Sequence, residues 1–330
     1  MYVCDMENAR IAVYTHLEDI PAIEDRLFFH GKELFGILSS TPGCTPYMFV
    51  ATDGEGRWLG HLLATLNRRG RLLPPYLYTT GNVLGEGCYR DEATRDALFP
   101  ELIHAVTRHF TRRLCLVIEF SQLSKKMLGY RHFRRNGYVP VNWQNIHNSL
   151  HSKAPAERLD PTFLRRLESR YQMGVETHEI SSEKEFDAFY TLLRNYYRMK
   201  FQRFIPKKEF FRALLSSDRC RILTTRYKGR VIGGCAIVYE GDDAYLWYAA
   251  SRRKTYRRQM PRAMTVWYAL NHSYAMGKSH LRFMHVGLPV IGEPTRDFLL
   301  EFGGKPTSTY RWFRCSIGWV NRLLRWFFQE

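Results

Sequence analysis

Three kinds of feature are missing from this chain, and each absence removes a class of function. No run of about 18 uninterrupted apolar residues occurs, so no membrane-crossing helix is expected. The seven cysteines (Cys4, Cys44, Cys88, Cys115, Cys220, Cys235 and Cys315) are odd in number and never at CxxC spacing, which argues against a disulfide framework and a structural zinc site. HExxH, GxSxG and GxxxxGK[ST] are absent too, and with them the usual zinc-protease, hydrolase and P-loop readings. His147 and His151 stand four apart in "HNSLH", but nothing adjacent completes a ligand set, and no metal is expected. The start, "MYVCDMENAR", lacks a basic segment followed by a long apolar run, so no secretory signal is expected. Scattered thiols in apolar runs such as "RRLCLVIEF" fit a reducing cytoplasm.

What is present is a large apolar content and an uneven charge. At 330 residues, 45% hydrophobic and 15% aromatic, the chain can bury about two cores. Residues 1 to 150 hold 17 Lys+Arg against 15 Asp+Glu, whereas the rest hold 32 against 17. The second part therefore carries nearly all of the +17 net charge, which points to an anionic, phosphate-bearing partner there. A merely solvated basic surface is the plain alternative.

The order of elements repeats. "GRWLGHLLATL" and "GRVIGGCAIVY" each follow a short apolar run and read as strand, tight turn, strand. A further strand comes next in both ("PPYLYTTGN", "DDAYLWYAAS"), then a helix ("ALFPELIHAVTRHF", "MPRAMTVWYALNHSYAMG") and a buried strand ("LCLVIEF", "HLRFMHVG"). Each half closes on a short helix that ends in glycine, "GYRHFRRNG" and "TRDFLLEFGG". Between the copies the pattern is helical. Pro161 can start one helix and Gly174 end it, Phe186, Phe189, Tyr190 and Leu193 form an apolar stripe on the next, and Pro206 separates that from a third.

Two helices, a glycine-turn hairpin, a third long strand, a central helix, a buried strand and a helix before "FGG" together resemble the GNAT acyltransferase fold. A tandem of such domains resembles the Fem-type (FemABX-like) peptidoglycan-bridge aminoacyltransferases. The resemblance is carried by "RRLESRYQMGVETHEI", "EFDAFYTLL", "WYAASRRKTYRRQMPRAMTVWYALNHSYAMGKSHLRFMHVG" and "FLLEFGGKPTSTYRWF". It implies an α/β chain of two tandem GNAT-like domains, 1–150 and 151–330, each a mixed, mostly antiparallel sheet flanked by helices. It also implies an N-acyltransferase that uses an acyl-CoA or an aminoacyl-tRNA as donor and an amine, such as one on a cell-envelope or glycan precursor, as acceptor.

GNAT enzymes hold the coenzyme pyrophosphate on a loop of the form [QR]xxGx[GA] at a helix start. The corresponding residues here are Arg258, Gln259, Met260, Pro261, Arg262 and Ala263, with proline in place of the first glycine. Proline suits a first helical turn but removes one backbone donor. Arg252, Arg253, Lys254, Arg257, Arg258 and Arg262 are the donor-binding candidates, clamping coenzyme phosphates or meeting the acceptor stem of a charged tRNA. The first copy has Glu86, Asp91, Glu92 and Asp96 at the same point, which would repel a pyrophosphate, so its role is expected on the acceptor side.

His285, near the end of the buried strand, is the candidate for proton transfer, and Tyr248 on the third strand the candidate donor to the leaving group. A structural histidine and a packing tyrosine are the plain readings. Tyr196, Tyr197, Lys200 and Arg203 are the acceptor-binding candidates.

In the tail, 317–330, apolar Trp319, Val320, Leu323, Leu324, Phe327 and Phe328 oppose Arg322, Arg325 and Gln329. This permits either a helix docked on the core, the preferred reading, or a peripheral contact with the anionic inner face of a membrane. A basic RNA-binding or membrane-associated module that keeps the fold but has lost transfer is the alternative function.

Overall fold

The computed structural model describes residues 2–3, 9–70, 77–198, 204–286 and 294–327. The contacts divide the chain into two compact units, Met1–Trp143 with Ser308–Glu330, and Gln144–Thr307.

Unit 1 begins with β1 (Tyr2–Val3), β2 (Arg10–Tyr14) and α1 (Lys32–Ser39). The hairpin β3 (Cys44–Thr52) and β4 (Trp58–Gly70) follows, then β5 (Leu77–Leu84) and the short β6 (Cys88–Tyr89) against β4. A long helix, α2 (Glu92–Arg112), crosses to β7 (Val117–Ser121), which lies parallel to β5. After α3 (Tyr130–Arg135), β8 (Val139–Ser149) leaves for unit 2.

Unit 2 contains α4 (Pro161–Gln172), β9 (Val175–Glu179), α5 (Glu183–Tyr197) and α6 (Lys208–Leu215). The hairpin β10 (Cys220–Tyr227) and β11 (Arg230–Glu240) leads to β12 (Asp243–Ser251). Next, α7 (Pro261–Ala275) crosses to β13 (His280–Phe283), parallel to β12. The chain ends through α8 (Pro294–Leu300), β14 (Lys305–Cys315) and α9 (Gly318–Phe327).

Each sheet is mostly antiparallel and runs in one order: β1-β2-β3-β4-β5-β7-β14 in unit 1, and β8-β13-β12-β11-β10-β9 in unit 2. The helix stops and starts come where the sequence expects them. The Asp160 carboxylate caps α4, the Ser182 hydroxyl accepts from Glu185 N–H at the start of α5, and Gly174 has φ +84°. Among the described residues all six cysteines are reduced and buried.

The division differs from the 150/151 break in the sequence pattern, because a strand returns. β14 pairs antiparallel with β7, Trp312 opposite Phe120, and the buried Trp312 indole stacks on Phe133 at 4.7 Å. The last segment of the chain therefore completes the core of unit 1. β8 in turn pairs with β13 of unit 2, Ile146 opposite Phe283.

Two adjacent glycines let helices close on both faces of the unit 2 sheet. A Cβ on Gly233 would lie 2.4 Å from Thr265 Oγ1 and 3.0 Å from the Pro261 carbonyl, and one on Gly234 would lie 2.7 Å from the Phe189 ring. The first therefore faces the start of α7 and the second faces α5.

The tail differs from the docked helix preferred in the sequence. The buried residue of α9 is the polar Asn321, while Trp319, Leu323, Trp326 and Phe327 are exposed. Residues 328–330 lie outside the described residues.

Candidate functional site

The β12–β13 pairing is short. Register runs from Asp243–His280 to Leu246–Phe283, and Met284 N–H hydrogen-bonds the Leu246 carbonyl at 3.3 Å. β12 continues to Ser251, so five of its residues extend past the last one paired with β13 among the described residues. In unit 1 the matching pair stays closed. β5 and β7 are in register up to Leu84–Ser121, where β5 ends, and Gly85 N–H still bonds the Ser121 carbonyl at 2.7 Å.

A bulge shapes this stretch of β12. Opposite β11, Ile237 pairs with Leu246 but Ala236 pairs with Tyr248, so Trp247 is the extra residue. Leu246 faces the α7 side, in the core cluster that includes Leu270 and Phe283. The next two residues share the opposite face. Trp247 lies 5.4 Å from the Phe210 ring of α6, and Tyr248 lies 5.1 Å from Phe211 and 6.3 Å from Phe210. Simple alternation would have returned Tyr248 to the α7 side.

The candidates beyond the paired stretch are thus Tyr248, buried and packed on α6, and His285, half-buried and one residue past Met284, whose N–H bonds β12. Beyond the bulge, Tyr197 at the end of α5 donates its hydroxyl to the Ala249 carbonyl at 3.1 Å. Its ring meets Tyr196, which is half-buried, at 5.0 Å. Tyr197 is therefore tied to the scaffold. Lys200 and Arg203 lie outside the described residues.

The basic segment connects β12 to α7. Arg252, Arg253, Lys254, Arg257 and Arg258 are all exposed. Arg262 departs from this group: it is half-buried, with its guanidinium 4.1 Å over the Phe298 ring. Met260, at the N-cap of α7, has left-handed angles (φ 47°, ψ 49°), which cost an L-residue about 1 kcal/mol. The loop is held from outside by Arg170 of α4, whose Nη1 donates to the Arg258 carbonyl at 2.9 Å.

No side chain caps α7 and no acidic residue lies in its first turn. Its first helical bond runs from Met264 N–H to the Met260 carbonyl, so the Arg262 and Ala263 amides precede it, while Pro261 has none to offer. Thr265 Oγ1 donates back to the Pro261 carbonyl and lies 2.8 Å from Thr225 Oγ1 of β10, which fixes the turn to the sheet. The start of α2 is the opposite case. The Asp91 carboxylate accepts from Thr94 N–H at 2.7 Å, and Glu92 follows in the first turn. That terminus holds its own anion.

The model of the acetyltransferase (GNAT) domain family matches residues 162–289, a span that runs from α4 through β13 and includes the β12–β13 pair and the loop. Residues 162–289 form a GNAT acetyltransferase domain. Beyond this domain, structural likeness covers most of the chain. FemX has a TM-score of 0.58 at 10% identity, over 89% of this chain and 97% of its own. L-PGS from Bacillus licheniformis has 0.56 at 13%, over 91% and 92%. A tandem GNAT protein from the clavulanic acid biosynthesis pathway has 0.50 at 13%, over 86% and 87%. At such identities the likeness is one of fold. Comparison with curated proteins finds no match.

Three elements of the GNAT domain were missed in the sequence: the Trp247 bulge, the Thr225–Thr265 bond and the Arg170 strut. Arg170 and Arg258 are 88 positions apart, and no spacing rule links them. At the other end of β13, the His280 ring lies 5.6 Å from His147 and 5.2 Å from His151, and its Nδ1 is 3.0 Å from Asp243 Oδ1. Asp243 also pairs with Arg282. Among the described residues no group of three His, Cys, Asp or Glu is arranged to hold a metal ion.

Proposed function

We propose that the chain is an N-acyltransferase that moves an acyl or aminoacyl group from an activated donor, an acyl-CoA-type thioester or an aminoacyl-tRNA, onto an amine. The observation that carries this reading is that unit 2 combines a parallel pair whose described register stops at Leu246–Phe283, which we read as the opening, with an uncapped, acid-free helix start. A donor whose phosphates meet the α7 amides and the arginines before them has its carbonyl directed toward the opening. Positioning of donor and amine supplies much of the rate. His285 takes the proton of the attacking amine, and the Tyr248 hydroxyl protonates the leaving group.

Tyr196, with Lys200 and Arg203, receives the acceptor, and Tyr197 holds the end of α5 against β12. Arg252, Arg253, Lys254, Arg257 and Arg258 bind the donor, and Arg262 stacked on Phe298 shapes the loop. Unit 1, with its helix start occupied by Asp91, binds no donor and serves the acceptor. The likeness to the Fem-type fold supports an amine on an envelope or glycan precursor as that acceptor.

A second reading, a basic binding module without turnover, is favoured by Pro261, which removes one amide from the phosphate cradle. Calorimetric titration with acetyl-coenzyme A at about 0.15 M salt, beside Arg258→Ala, tests the donor. Saturable binding that the variant weakens supports the thioester; no binding moves the test to charged tRNA, with a steep salt dependence expected. Binding without transfer to any amine would leave the module.

A further inference from the structure

The last helix presents its faces in the reverse of the usual order. Asn321 is its buried residue: Oδ1 accepts from Cys315 N–H at 3.0 Å and Nδ2 donates to the Gly137 carbonyl at 2.9 Å. At about 100° per residue, Trp319, Leu323 and Trp326 fall within about 40° of the direction opposite Asn321, with Phe327 beside them. Those side chains are open to solvent. Trp319 is 66% exposed, Trp326 65%, Phe327 66% and Leu323 47%. A helix held by an asparagine with its tryptophans turned outward has its apolar face available to something other than its own unit.

The surroundings say what that is. Arg314 donates to the Asn136 carbonyl and to Thr111 Oγ1, His104 Nδ1 lies 3.0 Å from Asn136 Oδ1, and Ser316 N–H bonds the Leu116 carbonyl. These bonds gather the ends of α2 and α3 around the base of α9. The three segments that meet there, 104–116, 130–137 and 312–327, contain nine arginines and no aspartate or glutamate. Leu114, 86% exposed and two residues from Leu116, adds a further apolar side chain at the same base.

We propose that α9 docks this unit on an anionic lipid bilayer, with Trp319, Leu323, Trp326 and Phe327 in the interfacial layer and the arginines around its base against the headgroups. Tryptophan suits that layer because its ring is apolar and its N–H polar. The helix lies in the surface, since no described helix is long and apolar enough to cross a membrane. A second copy is a poorer occupant. In a two-fold dimer the same patch meets itself, and like charges such as the exposed Arg322 would be brought together.

The test is sedimentation of the full chain with vesicles of phosphatidylcholine alone or mixed with phosphatidylglycerol. Binding to the mixed vesicles is expected, weakened by salt. Trp319→Ser with Trp326→Ser lowers the bound fraction about tenfold or more, and Arg322→Glu with Arg325→Glu removes the preference for anionic vesicles. Because Trp319 and Trp326 are exposed, the unfolding curve of the tryptophan variant should match that of the parent. Failure to bind anionic vesicles, or equal binding by the tryptophan variant, overturns the proposal. So does a dimer in light scattering that the tryptophan variant dissolves, which would assign the face to a second copy.

Discussion

Acidification from pH 7 to 5 should destabilise unit 1 through its buried histidines. His30 is buried beside β4, with Leu63 N–H 3.1 Å from Nδ1 and Gly87 N–H 3.2 Å from Nε2. Burial above all, and then His61, pushes its pKa down to about 3. An imidazolium there would set two ring donors against two backbone donors. His61, on β4, accepts from Trp58 Nε1 at 3.1 Å and is lowered to about 4, again by burial first; a bond to the His30 backbone and the charge of Asp25 oppose this, and Lys32 adds to it. His109, under the Tyr47 and Phe49 rings, is likewise lowered to about 4 by burial and by Arg113 and Arg112.

For a histidine with a depressed folded pKa, the unfolded chain takes up its proton first. Stability is therefore full above about 6.5 and falls as the pH drops toward the folded value. At pH 5 each of the three costs about 2 kcal/mol relative to pH 7, about 6 kcal/mol together, a large part of the 5–15 kcal/mol typical of a domain. The carboxylates whose pKa is lowered, Asp53, Asp91 and Glu185, titrate below this window and do not confuse it. The assay is urea unfolding at pH 7, 6 and 5, with protection of the Leu63 amide from hydrogen exchange reporting on unit 1. His61→Gln should remove about a third of the pH dependence. Equal stability at pH 7 and 5, or a gain on acidification, would refute the reasoning.

Other substitutions separate the scaffold from the chemistry. Gly233→Ala drives a Cβ into Thr265 Oγ1 and the Pro261 carbonyl; a loss of about 1–3 kcal/mol in denaturant unfolding, with weaker donor binding, is expected because the start of α7 must shift. Asp91→Ala costs about 1 kcal/mol through the lost cap and should leave donor binding unchanged by calorimetry, since that terminus belongs to unit 1. Tyr248→Phe keeps the ring on Phe211 and should lower kcat about a hundredfold with little change in thermal unfolding. Unchanged turnover would remove Tyr248 from the chemistry.

Much of the fold was legible because its signals are local. Ser182 with the stripe Phe186, Phe189, Leu193 records α5, and Pro161 with Gly174 bounds α4, since capping and periodicity act within a few residues. The duplicated hairpins were visible for the same reason. The site was legible only in outline: the basic loop and the acidic counterpart at Asp91 could be read from charge, and the structure adds that one helix start lacks a side-chain cap and the other has one.

The choice of neighbours was not in the sequence. β14 carries the pattern of any half-buried strand, and nothing in that pattern selects β7 as its partner; the pairing is decided by burial of Trp312 against Phe133. The bulge at Trp247 needs the register of β11, which is set by non-local hydrogen bonds. The tail shows the limit most clearly. Helical period fixed which residues of α9 share a face, but only the hydrogen bonds of Asn321 to Gly137 and Cys315 decided which face turns inward, because amphipathicity gives two faces without specifying what covers either.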